Sequence, residues 1–138
     1  MRALLLLFAF AAFSCKVPLS NNAGPDASGA LAGTAWELRS VSLDGEDQRD
    51  VHPDLLWFSD SDAVSIQSCN SCGGSYSVNG SRITFGSLAC TRRACSDHPE
   101  LATMIGDEAD YQLTDTELVL DSGRSTFRFA PTDPSERN

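Results

Sequence analysis

Four cysteines, Cys69, Cys72, Cys90 and Cys95, fall within one 27-residue window of this 138-residue chain. Any fold must gather that window, because four sulfurs so close in sequence are cross-linked, bound to a metal or left as free thiols. The spacing Cys-x2-Cys, seventeen residues, Cys-x4-Cys would suit a zinc site in which a tetrahedral ion joins two knuckles. A fifth cysteine argues the other way. Cys15 closes an apolar leader, and outside the cytoplasm the thiols of a small domain are normally oxidised. Two disulfides are therefore expected, each adding roughly 2 to 4 kcal/mol, with a zinc or thiol module on the same four residues as the alternative. Of the three possible pairings, Cys69 with Cys72 would close a strained small ring and is disfavoured.

The leader has a charged start, Met1-Arg2-Ala3, then an apolar run from Leu4 to Phe13 and the pair Ser14-Cys15. It is too short to cross a bilayer core of ~30 Å, which takes ~20 apolar residues, and reads instead as an export signal. A small residue followed by cysteine predicts a lipobox: residues 1–14 removed, and Cys15 diacylated as the lipid attachment site and new N-terminus. Ala12 and Phe13 depart from the usual lipobox, so plain secretion with cleavage near Ser14 is the alternative. Lys16 is not an inner-membrane retention residue. The expected location is the cell envelope, as an outer-membrane lipoprotein facing the periplasm or exterior, or else a soluble secreted or periplasmic protein.

Without residues 1–14 the chain keeps 9 basic against 19 acidic residues, a net charge of about −10. Such a surface repels nucleic acid and anionic headgroups, so neither is expected as a partner; contact with a membrane would run through the N-terminal lipid. Residues 15–30 contain two Pro, two Gly and no aromatic, a composition suited to a flexible tether. Residues 31–131 hold both Trp and both Tyr, enough for one small core. Residues 132–138 read as a polar, disordered tail.

Within the domain the apolar pattern has period two and is broken by turn-forming residues, so strands dominate. Alternation runs through Trp36–Val41 and stops at Asp44-Gly45; Leu55–Phe58 and Ala63–Ile66 flank Ser59-Asp60-Ser61-Asp62. Tyr76–Val78 and Ser81–Phe85 enclose Asn79-Gly80, the signal of a type I′ hairpin. Tyr111–Leu113, Glu117–Leu120 and Thr126–Phe129 complete the series. One segment breaks the period. Asp97 is a candidate N-cap with Glu100 as its capping-box partner, Leu101, Met104 and Ile105 recur at helical spacing, and Gly106 would end the helix. The expected fold is mainly β (α+β): a strongly twisted antiparallel sheet or partly open barrel of about eight short strands, plugged or covered by one helix.

Three stretches together resemble a known family. They are Leu31-Ala-Gly-Thr-Ala-Trp36, then Cys69-Asn70 followed by Gly74-Ser-Tyr76, then Thr91-Arg-Arg-Ala94-Cys95. In this order they look like the META domain, also called HslJ-like, with Trp36, Asn70, Gly74, Tyr76 and Thr91 as motif positions. The resemblance implies a compact, mostly β domain, often exported or lipid-anchored in bacteria, linked to stress tolerance, envelope or secretion roles and without an agreed catalytic activity. It also implies that the motif cysteines Cys69 and Cys95 bond each other, leaving Cys72 with Cys90, a pair additional to the family pattern. The helix here is shorter and less acidic than the family's.

No catalytic constellation stands out, and no cofactor is expected. His52 and His98 are the two histidines, and Gly-x-Ser-x-Gly is absent, which leaves a serine hydrolase without its elbow. Cys69-Asn-Ser-Cys72 is followed by Gly73-Gly74 and a hairpin rather than by the helix that lowers a redox thiol's pKa. Asn70 reads as a buried residue bonding loop backbone. Arg92-Arg93 reads as surface charge, and Trp36, Trp57 and Phe58 as core. The function expected is a non-catalytic binding or scaffold module of the envelope, its partner a protein or small ligand not named by the sequence. A ligand-binding β-barrel is the alternative.

Overall fold

The structure is a computed structural model that describes residues 27–48, 50–96 and 99–136. Helix α1 (Ala27–Leu31) is followed by strands β1 (Ala35–Leu43), β2 (Glu46–Asp47), β3 (Leu55–Phe58), β4 (Ala63–Gln67), β5 (Ser71–Asn79), β6 (Arg82–Phe85) and β7 (Ala89–Cys90). Helix α2 (Leu101–Ile105), strands β8 (Glu108–Leu113), β9 (Leu118–Asp121) and β10 (Ser125–Pro131), and a 3-10 turn at Pro134–Glu136 complete the chain. Eight strands pair antiparallel in the order β1-β3-β4-β5-β6-β8-β9-β10, and β10 returns to β1, so the sheet is a closed barrel. Closure leaves no long edge open to another chain. The two-residue strands β2 and β7 flank it on β1 and β5; they are too short to leave a period-two signal.

Alternation sends one face of each of the eight barrel strands inward. Leu56 and Phe58, Val64 and Ile66, Ile83 and Phe85, Leu118 and Leu120, and Phe127 and Phe129 are all buried, as an eight-stranded barrel just wide enough for side chains requires. On β1 the inward residues are Trp36, Leu38 and Val41, because the register against β10 shifts between Leu38 and Ser40. That bulge bends one of the two longest barrel strands and returns Val41 to the core. Tyr76 on β5 meets Phe58 edge-on, ring centroids 4.8 Å apart, and burial first, then the nearby Asp62 and Asp60, push its hydroxyl pKa up.

Helices stop both ends. Leu101 and Ile105 of α2 bury at one end and Leu31 of α1 at the other, and all three belong to the core cluster. The helix takes in Ala27–Ala30 of the segment expected as tether and ends on Leu31, the first residue of the expected domain, which is fully buried and whose carbonyl accepts bonds from Thr34 N (3.1 Å) and Thr34 Oγ1 (2.6 Å). A single buried leucine anchors a stretch whose composition looks unable to fold. The expected tail also continues the structure, since Thr132 N donates to Ala35 O at 2.9 Å and Pro134–Glu136 turns. Residues 1–26, with Cys15, lie outside the described residues, and among the described ones no helix is long and apolar enough to cross a membrane.

Two local expectations are corrected. Asn79 pairs with Arg82 as the last step of the β5–β6 ladder, so Gly80 and Ser81 form the loop. Gly80 alone has a positive φ, 62°, the pattern of a II′ rather than a I′ turn. At α2 the helix begins one residue after Glu100, whose φ −67° and ψ 125° are extended and whose side chain makes no cap. Asp97, the expected N-cap, lies outside the described residues. Glu100 is drawn away by a tertiary partner, described below.

The closing turns are tied by charge. Asp44 N donates to Arg124 O (2.8 Å), and the Asp44 carboxylate accepts from Arg124 Nε and Nη2 at 3.2 and 2.9 Å. The hydrogen bond, then the attraction of the guanidinium, lowers the Asp44 pKa. A lowered folded-state pKa stabilises above the ordinary carboxyl range, and the contribution disappears as pH falls through the folded value. Both side chains are exposed, so the expected effect on stability is small and salt-sensitive. Carboxyl titration followed by NMR should show Asp44 returning to the ordinary carboxylate range in R124A; no movement would mean that the pair is not formed in solution.

Candidate functional site

The four cysteines sort into two bridges, Cys69–Cys95 and Cys72–Cys90. Cys72 is an inward residue of β5, paired across the ladder with Cys90 of β7, while Cys69 sits in the β4–β5 turn. The sulfurs therefore go to two places rather than to one zinc, and Cys69 and Cys72 do not form a redox pair with each other.

Between the bridges, Asn70 is the hub. It is 8% exposed, and its Oδ1 accepts from Arg93 N (2.7 Å) and Thr91 Oγ1 (3.0 Å). Its Nδ2 donates to Glu100 Oε1 (2.9 Å) and reaches Cys95 Sγ (3.1 Å) and Arg93 O (3.3 Å). Its backbone N–H donates to Glu100 Oε1 at 3.1 Å. Thr91 is fixed in turn, its N–H donating to Ser71 O (2.9 Å) and its hydroxyl accepting from Ser71 N (3.0 Å). One amide side chain thus satisfies a loop that has no regular partner of its own, which is the reason for an asparagine here.

Gly74 lets the same loop approach. A Cβ there would lie 2.8 Å from Leu88 Cδ2 and 2.9 Å from the Ser87 carbonyl oxygen, whereas at Gly73 it would meet nothing within 4 Å. Leu88 can swing aside; the backbone oxygen cannot. G74A is expected to cost roughly 1 to 3 kcal/mol and G73A much less, read as a difference in urea midpoints; equal costs would sink the close-approach account.

The remaining motif residues serve the barrel. Trp36 is in the core with Nε1 donating to Thr34 Oγ1 at 2.7 Å, and Tyr76 is buried beside Phe58. Trp57 is also buried, and its Nε1 has no hydrogen-bond partner among the described residues. The Arg92 and Arg93 side chains are exposed. His52 Nδ1 stands 3.0 Å from Oδ1 of buried Asp54, beside a cleft of about 110 Å³ lined by Leu38, Val41, Val51, Pro99 and Met104. That room is below the ~300 Å³ of a typical small-molecule pocket. His98 lies outside the described residues.

Glu100 is the site residue that sequence reasoning misplaced, assigning it to a helix cap. A signal was present: once Cys69 pairs with Cys95, Asn70 and Glu100 are each within five positions of that bridge.

A closed eight-stranded barrel, stoppered by two short helices and clasped by a cystine-linked loop, defines a small disulfide-bridged β module. The META domain model matches residues 29–134, and the chain belongs to the META domain family. Among solved structures, the NMR structure of a protein from Burkholderia xenovorans is similar, with 26% identity and a TM-score of 0.58 over 79% of this chain and 88% of that one. A second NMR structure shares the fold at 22% identity and a TM-score of 0.58, over 75% of this chain and 92% of the other. No match is found among curated proteins.

Proposed function

We propose that this chain is an exported META-domain protein, held by lipid on Cys15 in the cell envelope and acting there as a non-catalytic binding or scaffold module in stress or secretion. The observation that carries the reading is the pair of bridges, Cys69–Cys95 and Cys72–Cys90, downstream of a leader that ends in Ser14-Cys15. Disulfides persist in oxidising compartments, and the thioether chemistry of a lipobox accounts for a cysteine at position 15. The barrel interior is filled by its own side chains, which favours an outer surface over an internal cup as the working face. Binding to a protein partner then draws on the loop that Asn70 and the bridges hold rigid, since a preordered surface loses less entropy on docking.

The test is the intact and peptide-mapped mass of the protein from its native host, alkylated without reductant. A diacylated Cys15 and four cysteines inert to alkylation are expected. An unmodified N-terminus elsewhere, or alkylation of all four, would remove the envelope reading; turnover of peptide, ester or thiol substrates by the purified domain would remove the non-catalytic one.

A further inference from the structure

We propose that Cys69, Cys95 and Glu100 form, when their bridge is opened, a three-ligand site for a borderline-soft divalent cation such as Zn²⁺. The inference goes beyond the envelope reading and does not depend on it. The two sulfurs and a Glu100 carboxylate oxygen all lie within 4.8 Å of one another, each residue half-buried. Neither Cys72 nor Cys90 belongs to that group. Three separate segments supply it: the β4–β5 turn, the loop after β7, and the residue preceding α2.

The carboxylate is the telling member. Glu100 Oε1 stands 2.8 Å from Cys95 Sγ, yet a bridged sulfur carries no proton to donate, so nothing in the disulfide calls a carboxylate there. Asn70 holds it, through N–H (3.1 Å) and Nδ2 (2.9 Å) on the same oxygen. Those donors belong to Asn70 rather than to the sulfurs, so wherever the loop is folded they hold the carboxylate with the bridge open as well as closed. Asn70 Nδ2 also lies 3.1 Å from Cys95 Sγ, where an amide donor would support a thiolate. Outer donors that orient ligands in this way are the usual companions of metal sites.

Ligand type and reach fit the same ion. In a tetrahedral zinc site Zn–S is ≈ 2.3 Å and Zn–O ≈ 2.0–2.2 Å, so ligand atoms sit about 3.3 to 3.8 Å apart. Breaking the S–S bond lets the sulfurs separate to that distance, with water in the fourth position. Two thiolates select zinc-like ions over Mg²⁺ or Ca²⁺. The chemistry balances: a dithiol reductant gives two electrons and two protons to the bridge, yielding two thiols and its own disulfide. The two thiols then release two protons as M²⁺ binds. The metal would clasp the loop at the point where the bridge did, so the fold has two interchangeable fasteners.

The test uses the mature chain, reduced with a phosphine, with Zn²⁺ alone as the probe and cysteine mapping by alkylation as the readout. One ion per chain is expected, with Cys69 and Cys95 protected at least tenfold over Cys72 and Cys90. Co²⁺ in place of zinc should give thiolate charge-transfer and tetrahedral d–d bands. E100Q should weaken binding tenfold or more. Uniform protection of all four cysteines, protection of none, or unchanged affinity in E100Q would each overturn the proposal. Mapping of the wild-type chain decides even where E100Q does not fold, because metal binding and folding are coupled. The mass analysis of the oxidised protein is unaffected by either outcome, so the two readings fail separately.

Discussion

Reduction of both bridges without added metal is expected to lower the unfolding free energy by about 5 to 6 kcal/mol, enough to unfold a domain at the low end of ordinary stability. The bonds span sequence separations of 26 and 18, and in the chain-entropy account each alone is worth about 3 kcal/mol. They are nested, Cys72–Cys90 inside Cys69–Cys95. With the outer bond closed, the inner one excludes fewer unfolded conformations, so the joint effect falls short of the sum. C72A/C90A has a further cost, because Cys72 is 5% exposed and a member of the core, whereas C69S/C95S leaves the core packed. Urea unfolding of the oxidised, reduced and two double-variant proteins would measure all four corners of that cycle. A total loss under about 2 kcal/mol would mean that the barrel alone carries the fold and that the cystines serve another purpose.

N70A is expected to cost about 3 to 4 kcal/mol, an unusually large loss for a residue outside the apolar core. Truncation removes the acceptor of Arg93 N and Thr91 Oγ1 and the donor to Glu100, and each buried polar group left unpaired costs about 1 to 3 kcal/mol. For a domain of about 100 residues this lowers Tm by roughly 12 °C or more. N70D separates packing from hydrogen bonding, since it keeps the shape and the Oδ1 acceptor but turns a second oxygen toward the Glu100 carboxylate. Two carboxylates so placed raise the pKa of the pair. The repulsion is then fully present above the folded-state pKa and relieved as pH falls toward the ordinary carboxyl range. N70D should therefore approach wild type at acidic pH, while N70A should not. Parallel pH profiles for the two variants would refute the hub geometry. Amide exchange at Arg93 would report the same event locally.

The two variants also probe why part of this molecule could be read from its residues and part could not. Strand positions were legible because alternation is a local property: Ala63–Gln67 and Arg82–Phe85 each declare a face in four or five residues. The Cys69–Cys95 pairing came through resemblance to a family, since four cysteines alone allow three pairings. Barrel closure was only half legible, because whether β10 meets β1 depends on the accumulated twist and stagger of eight strands. Helix α1 was missed because composition was averaged over residues 15–30, while the buried side chain that anchors the helix, Leu31, lies just beyond them. Glu100 was misread through a local rule, the capping box, that lost to a hydrogen-bonding demand from Asn70, 30 residues away.

By itself, then, the sequence determined what is encoded over short distances: the period of each strand, the glycine at Gly80 that permits a tight turn, the stop at Gly106, the supply of four sulfurs, and membership of a mostly β class. Tertiary structure alone decided what depends on residues distant along the chain: closure through β10 and β1, the II′ register of the β5–β6 turn, and the convergence of Asn70, Cys95 and Glu100. The physical reason is that periodicity and turn preference are properties of neighbouring φ/ψ angles. A buried hydrogen bond instead has its partner chosen by whichever segment the closed barrel leaves within reach.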